Sequence, residues 1–165
     1  MGQITFDGKE LSDAKPFLKW AGGKGRLLDK LSKFFPENYN RYFEPFIGGG
    51  AIFFYLNPKK AIINDLNSEL INLYNIIKKK PEELMKGLDK LQTKVNNKDF
   101  FLEMRSKKLK KELEQAVRMV FLNRTCYNGM YRVNSKGEFN VPFGDMGTPK
   151  LYEKKNIIAC SQTLK

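Results

Sequence analysis

Apolar residues recur along this chain at spacings that change several times, and each change predicts a different element. Leu27, Leu28, Leu31, Phe34 and Phe35 stand at helical spacing until Pro36, which predicts a helix ending there. Tyr42 to Phe46 is a short aromatic run that stops before Gly48, Gly49 and Gly50, the pattern of a strand entering a glycine loop. Ala51 to Leu56 reads as a helix opening from those glycines and closed by Asn57 and Pro58. Ala61 to Asn64 predicts a second short strand, terminating at Asp65. Leu70, Ile71, Leu73, Tyr74 and Ile77 then form the apolar stripe of a helix that Asn67 or Ser68 can cap. Pro81 suits the first turn of a further helix, with Glu82 and Glu83 favourable beside its N-terminus. Residues 81–123 read as mostly helical, and residues 124–149 as loop, punctuated by Asn128-Gly129, Lys136-Gly137, Pro142, Gly144, Gly147 and Pro149. Asn156 to Cys160 predicts another buried strand.

The order strand, glycine loop, helix, strand, acid, helix is the opening of a doubly wound α/β fold. At 165 residues the chain is sized for one domain, and 41% hydrophobic with 29% charged residues excludes a disordered polymer. Charge adds more: 30 Lys and Arg against 18 Asp and Glu leave +12, which predicts a polyanionic partner, nucleic acid first. No apolar run approaches a membrane span, and Met1 to Glu10 is polar, without the core of a signal peptide. The two cysteines, Cys126 and Cys160, fit a reducing cytoplasm rather than a disulfide framework. Histidine is absent, which removes Ser–His–Asp and Cys–His catalysis and any His-ligated metal; no metal site is expected.

Candidate chemistry concentrates in three segments. Glu44-Pro45-Phe46-Ile47-Gly48-Gly49-Gly50 puts an acid at a strand end and glycines where a backbone must approach a ligand closely. Gly22-Gly23-Lys24-Gly25 does not supply a Walker A loop, and Phe53 stands where a dinucleotide G-x-G-x-x-G needs glycine. What remains suits a nucleoside without a pyrophosphate, and Asp65 stands where a carboxylate reaches ribose hydroxyls. Alone, the loop also reads as a tight strand–helix turn with a helix-capping Asp. Upstream, Lys15 to Lys24 reads KPFLKWAGGK, joining an aromatic face, permissive backbone and cations. Downstream, Lys107-Lys108-Leu109-Lys110-Lys111 offers sequence-independent attraction to phosphates, while Leu122 to Asn134 mixes arginines, tyrosines and amides able to stack on or bond to bases.

KWAGGK, FEPFIGGG and INDLN in this order resemble the Dam-type (D12 class) DNA adenine-N6 methyltransferases, which use S-adenosylmethionine. LNR-x-x-YNG followed by Gly137 to Gly144 is similar to the target-recognition block of that family, whose members commonly methylate adenine in GATC. The resemblance implies a Rossmann-like methyltransferase fold with an incomplete sheet and a helical, loop-rich recognition insertion. It divides the chain into a cofactor-binding part (1–80), a recognition region (81–150) and a return strand (151–165). It assigns Trp20, Ala21, Gly22, Gly23, Lys24, Glu44, Pro45, Phe46, Gly48, Gly50 and Asp65 to the cofactor. It assigns Lys19, Arg124, Tyr127, Asn128, Met130, Arg132, Asn140 and Pro142 to double-stranded DNA, with Asn140 to Gly144 either bracing the recognition loop or touching the DNA backbone. The family's D-P-P-Y motif, which holds the flipped adenine, does not occur in the sequence. The expectation is therefore a truncated or split chain, inactive alone and completed by a polypeptide carrying D-P-P-Y; the alternative is a catalytically inactive, sequence-specific DNA-binding fragment.

Overall fold

Two short parallel strands joined through a helix carry the glycine loop, and a set of longer helices packs behind them in the computed structural model. It describes residues 13–145 and 147–165; the polar lead-in Met1 to Glu10 lies outside them. Strand β1 (Tyr42–Glu44) pairs with β2 (Ala61–Ile63), Tyr42 opposite Ala61 and Glu44 opposite Ile63. The Tyr42 N–H donates to Lys60 O and the Asn64 N–H to Glu44 O, both at 2.9 Å, so pairing continues past each strand end. Between them runs α2 (Ala51–Leu56), which starts at Gly50 and stops at Asn57, both in the left-handed region.

The helix predicted over Leu27 to Phe35 forms as three consecutive short turns: a 3-10 turn Lys24–Leu27, α1 (Leu28–Leu31) and a 3-10 turn Ser32–Phe34. None of its residues is buried, and Phe34 is 83% exposed, so no packed face draws it into one longer helix.

Asn67 caps α3 (Ser68–Lys79), its side chain accepting from the Leu70 N–H at 3.1 Å. Leu70, Leu73, Tyr74, Ile76 and Ile77 are its buried face. Pro81 opens α4 (Pro81–Asp89), and α5 (Lys98–Ser106) is capped by Asn97. Helix α6 (Glu112–Thr125) is the centre of the fold, buried without interruption from Ala116 to Asn123 and packed against α3, α4 and α5. Its buried Arg118 donates from Nε to Met104 O and from Nη2 to Arg105 O, both at 2.8 Å, so a guanidinium closes the C-terminus of α5.

The strand predicted over Asn156 to Cys160 is instead helix, part of α7 (Lys154–Thr163). A short β-branched apolar run does not by its composition distinguish a buried strand from a buried helix. The positions that go inside are Ile157, Cys160, Ser161 and Leu164, a helical repeat, and Ser161 Oγ donates to Lys78 O at 3.3 Å where α7 meets α3. The proposed return strand at 151–165 is thereby corrected. The predicted α/β class stands as mixed helix with a small parallel sheet.

Candidate functional site

Glycine-loop geometry begins with Asp65. Its Oδ2 accepts the Gly48 N–H at 2.9 Å and its Oδ1 the Asn67 N–H at 3.0 Å, so the acid after β2 holds the loop after β1. From below, the Tyr74 hydroxyl on α3 donates to Gly48 O at 3.0 Å. Trp20 lies across the same loop: a Cβ on Gly48 would sit 2.9 Å from Trp20 Cδ1, and one on Gly49 would sit 3.2 Å from Trp20 Cβ. Three segments distant in sequence thus meet around one groove of about 170 Å³.

All the residues assigned from sequence to the cofactor line that groove except Pro45, which is exposed beside it. Ile47, Gly49, Ala51 and Ile52 line it too; their backbone continues the motif, and only their position in the loop could have marked them. Glu44 is half-buried and accepts the Tyr42 hydroxyl on Oε2 at 2.6 Å. Burial holds its carboxyl above the ordinary range, opposed by the Tyr42 hydroxyl, the Lys24 charge and a Phe53 backbone N–H. The same contact and burial push the Tyr42 hydroxyl well above its usual value. The groove therefore offers one carboxylate suited to an ammonium and a second, at Asp65, with lone pairs left for hydroxyls. Phe46, 70% exposed at its rim, and Leu66, 89% exposed beside Asp65, are apolar surfaces suited to a flat ring. Those residues fit the parts of S-adenosylmethionine.

Beyond α6 the segment predicted as loop folds into a small braced hairpin. Val133 bridges Phe139 in antiparallel fashion, Asn134 accepts the Lys136 and Glu138 N–H groups on Oδ1, each at 2.9 Å, and Gly137 closes the turn. Cys126 bridges Phe143, the Tyr127 N–H donates to Pro142 O at 2.9 Å, and the Gly144 N–H donates to Thr125 O at 2.9 Å. Asn140 fixes Arg132, accepting its Nε at 2.8 Å. Among the residues assigned to DNA, Lys19, Tyr127, Asn128, Arg132 and Pro142 are exposed, with Asn128 in the left-handed region at φ 54°. Asn140 is half-buried against Arg132, and Met130 packs onto the hydrophobic core.

Arg124 stands apart. Its Nη2 donates to Phe17 O at 2.7 Å, and it lines a different groove, of about 1010 Å³, between residues 15–17 and α7. Burial lowers the pKa of its guanidinium, with Glu153 opposing the shift. On the hairpin's other side a cavity of about 630 Å³ is rimmed by Arg105, Lys107, Lys108 and Lys136, with Glu69 and Glu138 also present. Lys108 reaches Glu138 across it at 3.5 Å. Among the described residues there is no cluster of His, Cys, Asp or Glu able to hold a metal, and no helix long and apolar enough to cross a membrane.

Two residues that the motifs did not single out join groove and hairpin. Asn123, fully buried on α6, donates to Lys19 O and Gly129 O and accepts the Lys19 N–H. Tyr131 stacks on Trp20 with ring centroids 5.2 Å apart.

Comparison with known proteins identifies the family of the chain. The chain is 46% identical over 162 residues to the Type II methyltransferase M1.LlaDCHI of Lactococcus lactis subsp. cremoris, covering 94% of this chain and 57% of that protein. It is 39% identical over 173 residues to the Type II methyltransferase M.MjaIII of Methanocaldococcus jannaschii (93% and 60%). It is 40% identical over 134 residues to the DNA adenine methylase of Haemophilus influenzae (79% and 47%). The chain thus spans about half to three-fifths of the length of these relatives. Residues 20–165 match the family described as D12 class N6 adenine-specific DNA methyltransferase, and the chain belongs to that family.

Proposed function

We propose that this chain carries the cofactor-binding and target-recognition parts of a site-specific DNA adenine-N6 methyltransferase, with GATC as the target and S-adenosylmethionine as methyl donor. The observation that carries the reading is the convergence of Trp20 to Lys24, Glu44 to Gly50 and Asp65 on one groove, with the recognition hairpin stacked against it. The small sheet with its glycine loop is then the start of a Rossmann-like fold, and residues 81–150 supply the recognition insertion. When bound, the cofactor supplies an electrophilic methyl group on a sulfonium sulfur. Glu44 and the loop backbone would hold its amino-acid end, Asp65 its ribose hydroxyls, and Phe46 its adenine. Tyr127, Asn128 and Arg132 would address bases, while Lys19, Lys108 and Lys136 meet phosphates.

Asp65→Ala is expected to weaken binding of S-adenosylhomocysteine about ten- to hundredfold, through loss of charge-assisted bonds to the ribose and of the tether on Gly48. Calorimetric titration of wild type and variant measures it; equal dissociation constants with intact circular dichroism would remove Asp65 from the site.

On the DNA side, Arg132→Ala is expected to cost discrimination and Lys108→Ala general affinity. A bidentate arginine–guanine contact discriminates by about 1–3 kcal/mol, whereas a phosphate contact adds roughly one unit to the salt slope. Binding to GATC and scrambled duplexes over a salt series separates the two. Equal weakening of both duplexes by Arg132→Ala would refute base reading by that residue.

The alternative reading is a sequence-specific DNA-binding chain without catalysis, and the two differ in whether methyl transfer follows once D-P-P-Y, which is not among these 165 residues, is supplied. Holding the adenine amino group in line for transfer is a positioning task worth several kcal/mol, roughly three or more powers of ten in rate. Transfer of labelled methyl to a GATC duplex, by the chain alone and with a D-P-P-Y polypeptide added, distinguishes the readings. Activity restored only by the addition identifies the methyltransferase completed in trans; binding without transfer in either mixture identifies the binding chain.

A further inference from the structure

Trp20 is a single ring with two neighbours that belong to different parts of the proposed site. One is the glycine loop, packed so closely that a Cβ added to Gly48 would lie 2.9 Å from the indole Cδ1 and one added to Gly49 3.2 Å from Trp20 Cβ. The other is Tyr131 of the hairpin, stacked on it at an interplanar angle of 24°. Tyr131 is anchored in turn: its hydroxyl donates to Glu69 Oε2 at 3.2 Å, and its ring meets Phe139 edge-on at 5.6 Å. Glu69 is also approached by Arg118 Nη1 at 3.8 Å, so the tyrosine's far end is tied to α3 and α6. The residue before Trp20 is held from the same side, because the aliphatic stem of Lys19 lies over Gly129, 2.5 Å from where a Cβ there would stand. The aromatic pair is therefore the link by which the hairpin meets the indole in the groove wall, beside the backbone tie that Asn123 makes between Lys19 and Gly129.

We infer that Tyr131 is a positioning residue that couples occupancy of the groove to DNA binding by the hairpin, through its stack on Trp20. This rests on the reading that the groove takes S-adenosylmethionine and the hairpin faces duplex DNA. A ligand that orders the Gly48–Gly49 backbone against the indole orders the hairpin as well, and by linkage duplex binding favours the occupied groove by the same factor. The energy of one stacked aromatic pair limits that factor to about two- to tenfold. Arg132, which follows Tyr131 in sequence, receives the effect.

Trp20 is the chain's single tryptophan, so its emission reads the stack without a label. The experiment follows anisotropy of a fluorescein-labelled GATC duplex and Trp20 emission together, with and without saturating S-adenosylhomocysteine, in wild type, Tyr131→Phe and Tyr131→Leu. In wild type the analogue should tighten duplex binding about two- to tenfold, and the duplex alone should change Trp20 emission in step with anisotropy. Tyr131→Phe, which keeps the ring, should retain both responses. Tyr131→Leu should bind duplex and analogue separately within about threefold of wild type, yet show a coupling factor near one and unresponsive emission. Coupling that survives in Tyr131→Leu, or wild-type emission that stays constant while anisotropy rises, would overturn the inference. If Tyr131→Leu fails to fold, the wild-type and Tyr131→Phe emission traces decide alone. A flat anisotropy trace, or no calorimetric signal for the analogue, instead overturns the functional reading, and the coupling with it.

Discussion

Gly50→Ala should destabilise the chain by about 2–5 kcal/mol, a large share of the 5–15 kcal/mol typical of a domain. Gly50 precedes α2 with φ 74° and ψ 24°, where an L side chain meets its own carbonyl at a cost of roughly 1–2 kcal/mol. The added methyl would also lie 2.5 Å from the Tyr74 hydroxyl and 2.9 Å from Phe54 Cε2. Neither can yield easily. Tyr74 is committed to Gly48 O, and Phe54 is buried against Phe17, Phe53 and Tyr74, so overpacking adds about 1–3 kcal/mol. Urea unfolding followed by circular dichroism gives the number. Gly22→Ala is the control: its φ is also 74°, but nothing lies within 4 Å of a Cβ there, so only the backbone cost of about 1–2 kcal/mol should appear. Equal losses in the two variants would show that Tyr74 and Phe54 do not wall the loop. Because Tyr74 also positions Gly48, the Gly50 variant should lose analogue binding along with stability.

Local signals made the front of the molecule legible. A short aromatic run ending in three glycines marked β1 and its loop, Asn57-Pro58 closed α2, and Asn67 capped α3 as its chemistry requires. The groove was legible for the same reason, since each contributor is a short contiguous motif whose residues stay together when the chain folds. Long-range choices were less visible. Asn156 to Cys160 is apolar enough for either element, and what decided for helix was a surface on α3 and α4 that local pattern does not describe. Arg124 sits in the recognition motif, yet its direction follows from helical phase at the end of α6, which turns it to Phe17 O and away from the hairpin. Asn123 and Tyr131 were passed over because the groove residues they meet, Lys19 and Trp20, lie 104 and 111 positions away in sequence. Composition predicted a polyanion without locating it; the cations that rim the hairpin cavity become neighbours only when α5, the connector to α6 and the hairpin meet.

Asn123→Ala is expected to be the most damaging single truncation outside the apolar core, costing about 3–6 kcal/mol. The amide is fully buried and fully used: Nδ2 donates to Lys19 O and Gly129 O at 2.8 Å each, and Oδ1 accepts the Lys19 N–H at 3.1 Å. Alanine removes all three bonds and leaves backbone groups of two loops facing a gap, each unsatisfied group costing about 1–3 kcal/mol. The sum lies below the extreme total because Lys19 is exposed and water can reach part of its backbone. Asn123→Asp tests the assignment of donor and acceptor. A carboxylate keeps the Lys19 N–H but loses both donors and presents negative charge to two carbonyl oxygens, so its folded-state pKa should lie above the unfolded value. The unfolded state then binds fewer protons than the folded one, and stability should fall as pH rises through that interval; acid should partly rescue this variant and leave Asn123→Ala unchanged. Urea unfolding of both variants across an acid-to-neutral series reads the difference. A loss within about 1 kcal/mol for Asn123→Ala, or an Asp variant without pH dependence, would mean that the Lys19 and Gly129 backbones hold their places without this amide. If the losses match expectation, Lys19-Trp20 and the hairpin are pinned by the same side chain, and the Asn123 variants should weaken analogue and duplex binding together, a pairing that separate loops would not produce.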